Sequence, residues 1–529
     1  MRQDRSPRRR RLALAVSGIL VAALVAGCAG TSSSGNTSGS DEVDSSANLR
    51  IGYPVGQSLD PRQAPEPAQL LIGTWPVYDR LIQVSAQATY EPMLATEWEF
   101  SPDGKALTLT LREGVTFSDG TPFDAEAVKA NLESSLASTG TALQAGVANI
   151  AKVEVVDATT VKLDLKQPST TVLAGLASTL GGIMISPKSL EGKDLSTHPV
   201  GTGAYVIDSF QPGQSVTYKR RTDKGGIWDD KTGKPATVSI STLGNTDALS
   251  NALKGGQADL IVWSSETSAF KSDIDSGRLT HTVMDGVLNM VGLNFNLKKK
   301  PYDDPAVRKA INHAIDRNAI VEAFMPDTSP QVQPWPDGLP GFDEAREDTY
   351  EFDPAKAKQI LKDAGYANGV DGGELLVAAT GRFSEAAEAI QANLADVGIK
   401  VVLRNTDVYA LITQWAKGEG AAQLMYMSLP SIDPYSWLQR LFVNPVWSPG
   451  GADQEVAKLV VGLDDPTMSD EDRAARVGEI IDHTTDNARY ATLWQGVGGF
   501  MASSKVKNLD DLASVNGGVA DFRDVYLTK

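Results

Sequence analysis

The side chains that most often perform nucleophilic, acid–base or metal chemistry are scarce in this chain. Its single cysteine is Cys28, and its four histidines, His198, His281, His313 and His483, are far apart. None belongs to an HExxH or similar metal-ligand spacing, and neither a GxSxG nucleophile elbow nor a GxxxxGK[ST] phosphate loop occurs. Carboxylates are numerous, but sequence alone does not pair two of them across a cleft. We therefore expect no catalytic residue, no metal site and no cofactor.

Cys28 ends an N-terminal segment that has the three parts of a secretory signal. MRQDRSPRRRR carries six arginines and one aspartate, LALAVSGILVAALVA is an uncharged run of 15 residues, and Gly27 follows. The run is too short for a lasting membrane span. Val25-Ala26-Gly27-Cys28 resembles a bacterial lipobox, in which the cysteine receives a lipid and becomes the first mature residue. An ordinary signal peptide with an incidental cysteine, and export by a twin-arginine route, stay open as alternatives.

The residues after Cys28 indicate a tethered, extracytoplasmic protein. We expect a signal peptide at residues 1–27 and, because the next stretch is rich in Gly, Ser and acids, a flexible tether at 28–48. Removing six arginines and one aspartate changes the net charge from −17 to −22. So acidic a surface repels DNA, RNA and anionic lipid, which argues against nucleic-acid binding. No second apolar run approaches the length of a membrane span.

The remaining chain mixes the hydrophobic periodicities of strands and helices. Residues 107–111 and 161–165 alternate apolar and polar side chains, which predicts half-buried strands. Residues 90–195 are rich in such strands and in turns such as SPDG. Helical spacing starts at Asp304–Pro305, where the aspartate can cap a helix that continues towards residue 324. Its predicted apolar face consists of Val307, Ala310, Ile311, Ala314 and Ile315.

A second stretch predicts alternating helices and strands. Asp353–Pro354 begins a helix that stops at Gly365, residues 384–398 predict another helix, and residues 399–404 predict a strand. This spacing argues for α/β units around residues 375–403.

Several segments resemble the family 5 extracellular solute-binding proteins, the oligopeptide, dipeptide and nickel type that serves ABC importers. The longest, EPMLATEWEFSPDGKALTLTLREGVTFSDGTPFDAEAVKANLE at residues 91–133, is similar to the family signature. The others follow in the family's order: SLDP (58–61), VYDRLI (77–82), PVGTGAY (199–205), LNFNLKKKPYDDPAVRKAINHAIDR (293–317), FDPAKAKQILKDAGY (352–366) and IQANLADVGIKVVL (390–403). Together they cover nearly all of the mature chain.

The resemblance implies an α/β, two-lobe periplasmic-binding-protein-like fold (type II, large class) with an extra β-rich domain inserted in lobe 1. The implied boundaries are 49–89, 196–288 and 491–529 for lobe 1, 90–195 for the extra domain, and 289–490 for lobe 2. Two crossovers near 286–293 and 485–495 would act as hinges. The signature at 91–133 would lie in the extra domain, away from the ligand, so we expect no site there.

The resemblance also implies a ligand pocket between the lobes. The expected ligand-binding residues are Trp75, Tyr78, Trp263, Asn289, Asn294, Tyr426, Ser428, Asp433, Trp437 and Trp494. Aromatic side chains with a few polar groups suit a polar solute that has apolar faces. A single buried tryptophan is nevertheless more often part of a core than of a site, so packing is the competing hypothesis for each aromatic residue.

One departure from the family pattern bears on the ligand. Peptide binders of this family hold the ligand's ammonium with an aspartate a few residues before an Asp-Pro turn, since a buried unpaired ammonium is costly. Alignment on Pro434 puts Pro430 at that place, unless Asp433 serves instead or the alignment slips. Pro430 argues against a standard free-amine peptide and favours a neutral solute such as an oligosaccharide. Nickel as a directly bound ion is less expected still.

The leading hypothesis is a lipid-anchored receptor on the outside of a bacterial cell membrane. It would capture a peptide or other small polar solute between its lobes as a monomer, and deliver it to an ABC permease. Two alternatives stay open: a receptor of the same fold that presents its ligand to a sensor, and a surface-anchored hydrolase.

Overall fold

A computed structural model of the chain describes residues 42–529, apart from 64–72, 87–88, 139–141, 179–180, 191–193, 264–266, 327, 380–381, 429–431, 511, 513 and 516–518. The predicted signal peptide, Cys28 and most of the predicted tether lie outside the described residues. Among the described helices, none has both the length and the apolar character needed to cross a bilayer.

The strands, in chain order, are β1 (Asn48–Gly52), β2 (Ile82–Val84), β3 (Tyr90–Pro92), β4 (Ala95–Phe100), β5 (Ala106–Leu111), β6 (Ile150–Asp157), β7 (Thr160–Leu165), β8 (Tyr205–Gln211), β9 (Ser215–Arg220), β10 (Thr237–Ser241), β11 (Leu260–Val262), β12 (Leu279–Phe295), β13 (Val370–Ala378), β14 (Ile399–Thr406), β15 (Ala422–Ser428), β16 (Tyr490–Ser503), β17 (Val506–Lys507), β18 (Ser514–Val515), β19 (Val519–Ala520) and β20 (Tyr526–Leu527).

The α-helices are α1 (Ala125–Ala137), α2 (Ala142–Val147), α3 (Thr171–Ala177), α4 (Pro187–Leu190), α5 (Thr246–Lys254), α6 (Lys271–Asp275), α7 (Pro305–Ala314), α8 (Arg317–Phe324), α9 (Pro354–Asp363), α10 (Phe383–Asp396), α11 (Val408–Ala416), α12 (Pro434–Phe442), α13 (Gln454–Leu459) and α14 (Asp470–Asp486). Short 3-10 helices lie at Pro61–Gln63, Ser268–Phe270 and Glu344–Asp348.

A ten-stranded sheet in the order β14-β13-β15-β12-β16-β11-β1-β10-β9-β8 runs through the molecule. Its two long central strands, β12 and β16, pair antiparallel along most of their length. On one side of them β11, β1 and β10 are mutually parallel, and on the other side β15, β13 and β14 are mutually parallel. The predicted α/β units around residues 375–403 are confirmed, because β13, α10 and β14 follow one another there.

Separate hydrophobic cores define the two lobes and the extra domain. The core of lobe 2 is built only from residues between Met290 and Trp494. That of lobe 1 uses residues from 49–262 and 500–527, so the chain leaves lobe 1 and returns to it. The core of the extra domain lies within residues 81–184 and covers the antiparallel sheet β4-β5-β7-β6. Burying one stripe of each helix and one face of each sheet is what holds such layers together.

The two strands predicted from alternating periodicity are confirmed as β5 and β7 of the extra domain. They pair with each other, and Leu107, Leu109, Val161 and Leu163 are fully buried on their inner face. The preceding SPDG turn places Gly104 at φ +68°, a left-handed conformation that favours glycine. Period-two patterning and turn chemistry therefore account for this sheet.

The Asp-Pro helix starts are also confirmed. Asp304 and Asp353 each accept a hydrogen bond from a backbone N–H of the first turn, at 2.8 Å in both cases. The predicted helix from 304 to 324, however, is broken between α7 and α8. Asp316 caps α8 by accepting from the Ala319 N–H at 3.0 Å, so its side chain starts a new helix instead of continuing the first. The predicted apolar face of α7 is buried.

Candidate ligand-binding site

The two strands that connect the lobes lose their outer neighbours where they pass between the lobes. In lobe 1 the neighbouring strand β11 ends at Val262, and in lobe 2 the neighbouring strand β15 ends at Ser428. Between these ends, the pairs formed by β12 and β16 are Val283 with Gly499, Met284 with Gly498 and, after an irregularity, Asn289 with Gly496. Among the described strands, no third strand pairs with Met284 or Gly498, whereas at the two ends of the interval Asn289 also pairs with Ser428 and the Gly499 carbonyl accepts from the Trp263 N–H. We call this stretch, residues 283–289 and 496–499, the neck.

The first segment of the neck, 283–289, overlaps the first expected crossover, 286–293. Its second segment, 496–499, begins one residue after the second expected crossover, 485–495. In the second case, α14 extends to Asp486, and residues 490–495 already pair with β12 inside lobe 2. The second connection therefore lies further along β16, at the glycines in the middle of this strand.

The carboxyl ends of the parallel strands point at the neck from both lobes. In lobe 1, β1 is parallel to β11, so the loop that begins at Tyr53 emerges on the same side as the one that begins at Trp263. In lobe 2, β13 is parallel to β15, and β15 ends at Ser428 opposite Asn289, so the carboxyl ends of both strands are directed towards the neck as well. Ligands of open α/β sheets bind in the crevice outside such carboxyl ends. The neck is thus the base of the candidate site.

Aromatic side chains from lobe 2 meet beside the neck. Phe383, the first residue of α10, lies with its ring centroid 6.4 Å from that of Tyr426 and 6.0 Å from that of Trp494. Trp494 is buried, whereas Tyr426 keeps 37% of its surface exposed. Tyr53 of lobe 1 is half-buried, and burial, together with the nearby Tyr426, raises its pKa to about 12. Tyr53 and Tyr426 therefore lie within electrostatic range of each other, although they belong to different lobes.

Two of the expected lobe 1 residues, Trp75 and Tyr78, are buried in the core of that lobe. Trp75 packs edge-on against Tyr205 with ring centroids 6.0 Å apart, and Tyr78 is buried beside it in the same core. Within the described part of the chain, the Trp75 Nε1 has no hydrogen-bond partner. Burial raises the pKa of Tyr78 well above its usual value, so its hydroxyl stays protonated. Both residues are therefore part of the lobe 1 core.

Three of the expected residues lie at the neck itself. Asn289 and Ser428 are opposite each other in the β12–β15 register. The Trp263 N–H donates to the Gly499 carbonyl at 2.7 Å. The Trp263 ring, however, is buried and packs edge-on against Phe270 with centroids 4.9 Å apart. Its backbone thus borders the neck while its ring fills a small core.

Asn294 and Trp437 are not brought to the crevice. Asn294 lies five positions beyond Asn289 on β12, about 17 Å further into lobe 2. It donates its Nδ2–H to the Trp447 carbonyl at 2.8 Å. Trp437 is fully buried in the core of lobe 2, where its Nε1–H donates to the Pro334 carbonyl at 3.3 Å. Packing explains both residues.

Asp433 is engaged by the protein through both carboxylate oxygens. Its Oδ1 accepts from the Ser436 N–H at 3.1 Å and so caps α12, while its Oδ2 accepts from the Thr170 hydroxyl at 2.7 Å. Burial, with a smaller effect of nearby Asp464, raises the pKa of Asp433. Thr170 belongs to the extra domain, so this carboxylate is directed at a domain contact. Pro430 lies outside the described residues.

Sequence reasoning missed Tyr53 and Phe383. Tyr53 directly follows the carboxyl end of the parallel strand β1, and Phe383 comes shortly after the carboxyl end of the parallel strand β13. Residues at the carboxyl ends of parallel strands are candidates for a crevice site once the strand order is known, and this position is the signal that could have identified both residues. As for metals, the described residues contain no group of three or more His, Cys, Asp or Glu side chains arranged to hold an ion. His313 is buried, with its Nδ1 2.9 Å from the Glu351 carbonyl oxygen.

Comparison with known proteins gives one family. The sequence matches the family model described as bacterial extracellular solute-binding proteins, family 5 Middle, over residues 89–448. The glutathione-binding protein GsiB of Salmonella paratyphi A (strain ATCC 9150 / SARB42) is 32% identical over 402 residues, 70% of this chain and 73% of that protein.

Solved structures share the fold. NikA from Brucella suis, in complex with Fe(III)-EDTA, superposes with a TM-score of 0.79 at 24% identity and covers 91% of this chain and 100% of its own. DppA from Helicobacter pylori, in complex with the peptide STSA, gives a TM-score of 0.74 at 23% identity and covers 92% and 99%. Matched over more than half of its length and sharing this two-lobe architecture, the chain belongs to the bacterial extracellular solute-binding proteins of family 5.

Proposed function

We propose that this protein is the solute-binding receptor of an ABC importer. It captures a small polar solute in the crevice over the neck and hands it to a membrane permease. The observation that carries this proposal is the convergence of parallel strand ends from both lobes on a two-stranded neck. A crevice between two separately packed lobes can enclose a solute completely when the lobes close.

The proposed contacts begin with the aromatic group beside the neck. Tyr53 on one side, and Tyr426 with Phe383 and Trp494 on the other, offer flat apolar faces and two phenolic hydroxyls. Such surfaces suit a solute with an apolar or planar face and several hydrogen-bonding groups, as a modified peptide or an oligosaccharide has. The GsiB relative is named for glutathione and the DppA structure holds a peptide. Glutathione, short peptides and oligosaccharides are therefore the first solutes to test.

Closure is proposed to occur by bending of the neck. Only two strands cross there, so few hydrogen bonds resist a change of angle, and Gly496, Gly498 and Gly499 lie in one of them. A Cβ atom at Gly499 would lie 2.5 Å from the Trp263 carbonyl oxygen, so the glycine allows the strands to approach closely. Binding energy gained from both lobes at once would favour the closed form.

The proposal includes the membrane anchor and the absence of turnover. Cleavage after residue 27 and lipidation of Cys28 would hold the protein at the outer face of the cell membrane, with residues 28–48 as the tether. The protein would act as a monomer and release its solute chemically unchanged.

Mass spectrometry of solute co-purified with gently isolated protein is the most direct test. A thermal-shift screen with glutathione, short peptides and oligosaccharides should then identify solutes that raise the Tm, because a ligand that binds only the native state stabilises it. Tyr426→Ala should abolish the shift. Val402→Ala, which truncates a more exposed side chain on β14 of the same lobe, should keep it. If no solute is recovered and none raises the Tm, or if a recovered solute is converted to product, the proposal is wrong.

A further inference from the structure

The signature turn SPDG of the extra domain touches lobe 2. Gly104 ends this turn, and a Cβ atom there would lie 2.9 Å from Pro466 Cγ and 3.0 Å from Pro168 Cβ. Pro466 follows α13 in lobe 2, whereas Pro168 follows β7 in the extra domain. The closely packed turn is thus part of a contact between the extra domain and lobe 2. None of the residues in this contact belongs to the neck.

Two hydroxyl groups of the extra domain bind two carboxylates of lobe 2 at the same place. The Ser169 hydroxyl donates to Asp464 Oδ2 at 2.5 Å, and the Thr170 hydroxyl donates to Asp433 Oδ2 at 2.7 Å. The Thr170 N–H also donates to the Asp464 carbonyl at 2.7 Å. Ser169, Asp433 and Asp464 are all buried. Burying carboxylates is costly unless hydrogen bonds replace their water, which these two residues of the extra domain supply.

An apolar contact completes the surface. Ile432, next to Asp433, packs against the hydrophobic core of lobe 2 and also against that of the extra domain. Tyr90 of the extra domain is half-buried with its hydroxyl enclosed near Asp433, and burial and that carboxylate raise its pKa well above the usual value. We call the contact formed by Gly104, Ser169 and Thr170 with Ile432, Asp433, Asp464 and Pro466 the junction.

We propose that the junction is a latch that forms when the lobes close and that sets the population of the closed state. The inference rests on the proposed function, because lobes hinged at the neck cannot separate without breaking the junction. Opening would return both carboxylates to water and separate Ile432 from the core of the extra domain. The affinity for a solute that binds the closed form is scaled by the fraction of protein already competent to bind it. The junction would therefore tune affinity without touching the solute.

The latch can be tested by measuring the distance between the two sides of the junction. In a full chain carrying Cys28→Ser, spin labels at Glu133→Cys of α1 and Gln454→Cys of α13 report this distance by pulsed electron paramagnetic resonance. Both positions are exposed and lie outside the junction and the neck. We expect a short and a long distance, which correspond to the closed and open forms, without added solute.

Thr170→Val keeps the shape of the side chain but removes the hydrogen bond to Asp433. It should lower the closed-to-open ratio about tenfold, as expected for one hydrogen bond to a charged group. Thr159→Val removes a threonine hydroxyl from an exposed turn of the same domain and should leave the ratio unchanged. Ser169→Ala combined with Thr170→Val should lower the ratio further. Circular dichroism checks that each variant is folded.

The outcomes separate the latch from the proposed function. If Thr170→Val and Thr159→Val give the same ratio as the parent chain, the junction is not a latch, even where the Tm screen finds a solute. A single distance in the parent chain would also overturn the latch. If that single distance persists when a solute that raises the Tm is added, the closure step of the proposed function fails as well.

Discussion

Thr170 of the extra domain donates its hydroxyl to Asp433 of lobe 2 over 2.7 Å, and the same carboxylate caps the helix that begins at Pro434. One side chain thus starts a helix within lobe 2 and joins that lobe to another domain. Four further groups act on this carboxylate: Asp464, Arg473 and Tyr435 of lobe 2 and Tyr90 of the extra domain. A helix cap of this kind couples local structure to the arrangement of the lobes.

The junction should respond to pH. Burial raises the pKa of Asp433, so the closed form binds a proton more tightly than an open form in which the carboxylate is hydrated. The closed-to-open ratio should therefore rise as pH falls from neutrality through the raised pKa, and level off below the ordinary value. Asp433→Asn keeps a good helix cap and should remove this rise.

The same spin-label distances measure that response. Asp157→Asn, at an exposed turn of the extra domain, serves as the control and should keep the parent's pH profile. A closed-to-open ratio that falls as the solution is acidified would contradict the expected sign.

The crevice aromatics should control affinity more than stability. Tyr426→Ala removes a side chain that is 37% exposed, so we expect the Kd for the identified solute to rise tenfold or more while the Tm changes little. Isothermal titration calorimetry measures the Kd. Val402→Ala should alter neither quantity, and an unchanged Kd in Tyr426→Ala would remove this residue from the site.

Gly499 should be intolerant of a side chain. In Gly499→Ala the new methyl group would lie 2.5 Å from a backbone oxygen, that of Trp263, so the neck must distort. We expect a destabilisation of about 1–3 kcal/mol, typical of an overpacked site, measured by urea denaturation. Gly73→Ala meets nothing within 4 Å and should be nearly neutral. Equal effects of the two variants would argue against a close approach at the neck.

The ion pair between Arg80 and Asp521 should raise the free energy of unfolding, although neither residue belongs to the candidate site. The side chains are 0% and 2% exposed and 2.8 Å apart, and they link the segment after Tyr78 to the C-terminal return of the chain. Arg80→Met would remove this ion pair from a buried carboxylate that keeps only the N–H hydrogen bond and the nearby charge of Arg523. We expect a cost of about 3 kcal/mol in the free energy of unfolding.

An exposed ion pair provides the contrast. Lys152 and Glu154 are 2.7 Å apart, but their side chains are 63% and 45% exposed. Lys152→Met should change the free energy of unfolding by less than about 1 kcal/mol. Urea denaturation of both variants compares them directly. If Arg80→Met costs no more than Lys152→Met, the buried pair does not hold the C-terminal return in place.

Local patterns in the sequence were sufficient for much of the fold. The alternation at residues 107–111 and 161–165 became paired strands, and the Asp-Pro starts became capped helices. The break at Asp316 was missed, because the apolar periodicity continues across it and outweighed the second capping residue. The order of the family's segments led to the two-lobe fold, which the matched family and structures confirm.

The candidate site depended on contacts that no local pattern contains. Phe383, Tyr426 and Trp494 come together because β15 and β16 flank β12 in the sheet and α10 follows β13. Trp437 and Asn294 looked equally suitable in the sequence, yet lobe 2 packs them away from the crevice. Residue type indicates what a side chain can do, whereas only strand order decides which surface it reaches.

The sequence by itself determined the acidic charge of the protein and the family that its ordered segments resemble. It also determined the helix starts at Asp304 and Asp353 and the strands at 107–111 and 161–165, because each of these depends on residues within a few positions of one another. The tertiary structure decided where the neck lies, which aromatics meet beside it and what Asp433 binds. Thr170 and Asp433 are 263 residues apart, and their contact exists only because the extra domain and lobe 2 are packed together. Contacts between such distant residues follow from the packing of whole domains, and neither residue's neighbours in the chain carry that information.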